Sequence, residues 1–171
     1  MDEPTASADD HRGAHRAELV KEASTMALYV SVTLLAVLAT VADRSDHGDA
    51  KLTALVWGTT IGLALAHLFA FRVSGRLVAK GSITEADAAL AGAQMLGAVF
   101  VGVLVSIPIV AFGPTAELDA ARQVLALFIA AMGYLVAKSA GATRARAIIY
   151  GMGILVTAVA IATIKNILGG H

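Results

Sequence analysis

The 171-residue chain is 57% hydrophobic and 15% charged, with a mean hydropathy of +0.74. That composition excludes a disordered chain and is too apolar for an ordinary water-soluble domain. The chain has no cysteine, which excludes disulfide scaffolds, thiol catalysis and Cys-ligated metals; 13 basic residues balance 13 acidic ones, leaving no net charge to draw nucleic acid.

In chain order, residues 1–14 are polar and acid-rich. A cleaved signal peptide would start basic and turn apolar sooner, so the first span is expected to serve as an uncleaved insertion signal, and the polar stretch before it is expected to be a mobile tail. Residues 15–168 are expected to form one all-α domain, a polytopic membrane helix bundle of five transmembrane helices. The expected spans are about 23–42, 52–72, 86–112, 117–138 and 146–167, with helix one continuing outward to about His15. A soluble bundle is the alternative. It would show polar residues recurring every 3.6 positions, whereas residues 52–71 and 88–112 contain no charge at all. All-round apolarity of that length fits lipid.

Local signals mark the helix ends. Ser82 and Glu85 have capping-box spacing at the start of helix three. Pro108 removes the hydrogen bond to Leu104 and is expected to kink that helix, with Ser106 compensating locally. Gly113-Pro114 stops it, Thr115 is placed to cap helix four, and Gly141 reads as the residue just past helix four's end. Nine Lys and Arg flank one set of alternating ends and four the other. The bias predicts a cytoplasmic N-terminus and an external C-terminus. Tyr29, Tyr134 and Tyr150 fall near the first set of ends and Trp57 and Phe112 near the second, as interfacial belts do, while Phe100 and Phe128 sit mid-span as packing residues.

Ionisable residues inside a membrane are costly and therefore informative. The apolar cores hold no Asp, Glu, Lys or Arg, but do hold His67 on helix two and Gln94 on helix three. Counting from the helix ends places both roughly 7–10 Å deep on the same side, so the pair is within hydrogen-bonding range in depth. It reads either as a proton relay or ligand, or as a polar tie between helices. Outside the lipid, His11, His15, Glu18 and Glu22 follow helical spacing. They read as weak metal ligands or as a solvated helix face, and no metal or other cofactor is expected. Asp43, Asp46, His47 and Asp49 crowd the first loop, where turn formation accounts for them equally well. Gly58 and Gly62 make a GxxxG pair expected to pack helices; Ala93/Gly97 and Ala158/Ala162 have the same spacing with less weight, since alanine is abundant. No catalytic or nucleotide-binding motif occurs, so no enzyme is expected.

Residues 55–77, with Leu65-Ala66-His67-Leu68-Phe69 leading into Arg72 and Arg76, resemble the second span of small uncharacterised integral membrane proteins of high-GC Gram-positive (actinobacterial-type) bacteria. The resemblance implies a multi-pass protein of a bacterial plasma membrane and no particular activity. The vacuolar iron transporter family is similar in topology alone. Its members carry acidic and Met residues within the first two spans and a long acidic insert after the second; here Met26 is the sole Met there and the second loop is short and basic. The expectation is a non-catalytic packing or partner-binding module in the lipid bilayer, joined to a second copy or another membrane protein, with no nucleic acid. The rival is a small ion or solute transporter or channel with His67 and Gln94 on its pathway.

Overall fold

The computed structural model describes residues 5–41, 49–78, 84–113 and 116–169. They form five α-helices: α1 (Thr5–Thr40), α2 (Asp49–Val78), α3 (Glu85–Ala111), α4 (Glu117–Ser139) and α5 (Arg144–Gly169). Each holds a segment long and apolar enough to cross a membrane; the shortest, Arg144–Ile164, has 21 residues. At 1.5 Å per residue that is roughly 30 Å, the thickness of the hydrocarbon core.

The helix ends follow local chemistry. α1 begins at Thr5, well before the expected start at His15. Its 36 residues exceed one membrane crossing, so its first turns extend beyond the apolar core. The capping box of α3 lies two residues later than Ser82 and Glu85. Thr84 Oγ1 accepts the Asp87 amide at 3.2 Å, and the Asp87 carboxylate accepts the Thr84 amide at 2.9 Å. Two overlapping capping patterns stand in this sequence, and the one nearer the apolar run starts the helix. α4 ends as expected at Gly141, whose φ of 81° suits glycine. The Gly141 amide donates to Lys138 O and the Ala142 amide to Ala137 O, both at 3.0 Å, closing a Schellman motif.

α1 packs against α3, α4 and α5, while α2 leans chiefly on α3. The core is built from rows at i, i+4 spacing: Val30, Leu34 and Leu38 on α1, Val101, Val105 and Ile109 on α3, and Ala121, Leu125 and Ile129 on α4, almost all fully buried. Such rows mesh as ridges into grooves. Glycines sit where backbones meet. A Cβ on Gly97 would strike the carbonyl oxygen of Ala23 on α1. A Cβ on Gly133 would lie 2.9 Å from Gly151 Cα, bringing α4 and α5 together. Phe100 and Phe128 pack across α3 and α4 with centroids 5.9 Å apart. Outward, α3 and α5 expose large apolar side chains such as Leu96, Val110, Ile149 and Leu168. An apolar exterior over an apolar core is what lipid solvation requires. α2 is the peripheral helix, with 17% of its apolar window buried against 50% for α1 and α3.

Candidate functional site

The close approach of α1 and α3 creates a buried polar contact. Gln94 is 6% exposed, and its Nε2 donates to Glu22 Oε2 at 2.7 Å. Gly97, one turn further along α3, has no side chain and so lets the two backbones come within reach. Gln94 is therefore tied to α1 and not to His67. His67 is exposed on α2. The depth match between the two residues does not set azimuth. α2 meets the bundle along the row Leu52, Val56, Thr60 and Ala64, and the next member of that row is Leu68, so His67 stands beside the contact line. Glu22 belongs with Gln94 in space, although its spacing groups it with the N-terminal histidines. The available signal was its position one turn before Met26, where a continuous helix enters its apolar run.

Of that N-terminal group, His15 and Glu18 are exposed on α1, and the side chain of His11 lies outside the described residues. Among the described residues no three His, Cys, Asp or Glu side chains gather as a metal site would require. Asp43, Asp46 and His47 lie outside the described residues, as does the side chain of Asp49.

A second polar cluster closes the far end of α1. That helix has no basic residue in its last turn. Arg122 of α4 takes the role: its guanidinium donates to Leu38 O at 2.9 Å and Val41 O at 2.9 Å, and pairs with Asp119 at 3.0 Å. Cationic donors satisfy the terminal carbonyls and complement the helix dipole. Glu117, in the first turn of α4, is 1% exposed. By sequence Arg122 counts only as a loop charge. Its isolation was the clue, because no other basic residue occurs between Lys80 and Lys138.

The α2–α3 seam carries the third group. Trp57 Nε1 donates to Ser106 Oγ at 3.1 Å, and the Ser106 hydroxyl donates to Gly102 O at 2.8 Å. Gly102 leaves space for the indole, whose ring lies 3.3 Å from where its Cβ would be. Thr60 is 1% exposed here, and its hydroxyl has no hydrogen-bond partner among the described residues. α3 continues through Pro108 to Ala111, and the Phe112 amide donates back to Pro108 O at 3.0 Å.

Gly58 and Gly62 do not pack inside the bundle: nothing lies within 4 Å of a Cβ placed on either. They belong to a row of small residues at every fourth position, Ala54, Gly58, Gly62, Ala66 and Ala70, all exposed. This row is offset by two residues from the buried row, which places it on the opposite side of α2. No protein family, curated protein or solved structure matches the chain.

Proposed function

We propose that the protein is a non-catalytic integral membrane module that receives a transmembrane helix on the outer side of α2. The observation that carries this reading is an unbroken row of small residues on the exposed side of α2. Ala54, Gly58, Gly62, Ala66 and Ala70 stand in line there, beside the outward-facing Ile61, Leu65 and Phe69, so a partner helix can approach the backbone closely with large apolar side chains flanking the contact. That row covers roughly 24 Å of helix, enough for close backbone approach across most of a bilayer. The partner is a helix of a second copy or of another membrane protein. The Lys and Arg bias supports an N-terminus in the cytoplasm and a C-terminus outside, in a bacterial plasma membrane.

The cysteine-free chain permits a direct test in native membranes. A single cysteine introduced as Ala66→Cys should cross-link into one discrete larger species, and adding Gly62→Ile should abolish it. Val103→Cys, exposed on α3, should give none. Equal, diffuse adducts from both positions would sink the reading. The rival transport reading needs His67 and Gln94 on one path. The tie between Gln94 and Glu22, and the exposure of His67 on another helix, weigh against it.

A further inference from the structure

The surface between α1 and α5 carries an open groove of about 520 Å³. Leu28, Val32 and Ala36 line it from α1, Ile154 and Ile161 from α5, and the fully buried Ile129 of α4 lies at its base. The groove's two threonines do not make it polar. Thr33 and Thr157 donate to carbonyls of their own helices, at Tyr29 O and Gly153 O, both at 2.9 Å. The groove therefore presents hydrocarbon to its contents.

One end differs in character. Tyr29 lines the groove there and is 52% exposed. On α5, Tyr150 and Arg146 stand one and two turns before Ile154, on the same helix face by their spacing. Arg144, Arg146 and Lys138 are all exposed around the α4–α5 turn. No acidic residue follows Asp119 in the chain, so the α4–α5 turn and α5 carry none of their own. On α1, Lys21 and Glu18 are both exposed, and the carboxylate of Glu22 accepts from Gln94. From Arg146 to Ile154 the helix rises roughly 12 Å. Cations, then tyrosines, then an apolar slot match the polarity of a phospholipid from phosphate through ester region to acyl chain, and cationic pockets between membrane helices recognise acidic headgroups.

We propose that this groove binds an anionic phospholipid of the surrounding leaflet, with one acyl chain between α1 and α5 and its phosphate at Arg144 and Arg146. The inference rests on the placement of the chain in a membrane and is independent of α2, so cross-linking at Ala66→Cys and lipid binding fail separately.

Native mass spectrometry of the full chain, released from detergent with phosphatidylglycerol or phosphatidylcholine of identical acyl chains, provides the test. The wild-type protein should retain phosphatidylglycerol preferentially. Arg144→Gln with Arg146→Gln should weaken that binding roughly tenfold or more, while the paired Lys substitutions should keep most of it. Thr157→Trp, filling the groove, should reduce retention of both lipids; Thr33→Phe makes the same test from the opposite wall if the first variant does not fold. Circular dichroism and gel filtration check that each variant is helical and monodisperse. Equal retention of the two lipids, an unchanged preference without the arginines, or displacement of the lipid by equimolar glycerol phosphate would overturn the proposal. So would a lipid-free dimer that Thr157→Trp dissociates, because a second copy would then fill the groove.

Discussion

Among the described glycines, Gly97 is the one where an added carbon does most harm, because the carbonyl oxygen of Ala23 already occupies the space and backbone cannot swing aside. Gly97→Ala should destabilise the bundle by about 1–3 kcal/mol, read as a lower midpoint of thermal unfolding in detergent. Gly58→Ala, into open space, should stay within about 0.5 kcal/mol of wild type. An equal fall in both would contradict the assigned packing faces. Gln94→Leu should cost about 1 kcal/mol, since it strips Glu22 of its amide donor, and Glu22→Gln should cost less because an amide still accepts from Gln94. Of this site, Gln94 was legible in the sequence as the single amide in the apolar cores. Its partner was not. Residue counting yields depth along a helix, and the pairing depends on which face each helix turns inward. His67 lies at a matching depth on the wrong azimuth.

At the scale of elements, ends were easier to read than faces. The observed α3, α4 and α5 run 85–111, 117–139 and 144–169, close to the expected 86–112, 117–138 and 146–167. Apolar runs, Gly113 and Gly141 delimit them, and those signals act locally. Gly141→Val should cost about 1–2 kcal/mol, because a β-branched side chain is strained at a φ of 81°, and should loosen the α4–α5 turn in amide exchange. Faces are harder to read in lipid, where a side chain gains about as much from acyl chains as from a neighbouring helix. Gly58/Gly62 and Ala93/Gly97 have the same spacing, yet the first pair faces outward and the second is buried between α1 and α3. Beside its apolar contact row, α2 is fixed to α3 by a polar cue: Trp57 bonds Ser106. Ser106→Ala should cost about 0.6 kcal/mol and raise the labelling rate of a cysteine placed at Thr60, now 1% exposed. An unchanged labelling rate would mean that the apolar row alone holds α2.

For the molecule as a whole, the decisive property is that the same kind of side chain fills both the interior and most of the surface. Val101 and Leu125 are fully buried while Leu96 and Leu127 are 70% exposed. In water such a surface would aggregate, and in a bilayer it is the solvated state. The chain should therefore stay with membranes after an alkaline carbonate wash. The proposed orientation rests on charge. The α4–α5 turn, with Lys138, Arg144 and Arg146, should face the cytoplasm, and the α3–α4 turn, whose flank carries Arg122 already engaged with α1, should face outward. Because the chain lacks cysteine, each turn is addressable by one substitution. In intact cells a membrane-impermeant maleimide should label Gly113→Cys and spare Ser139→Cys until the membrane is opened. The reverse pattern would invert the topology and move the arginines of the α4–α5 turn to the outer leaflet. Labelling of both positions before opening would mean that the helices do not alternate across the bilayer.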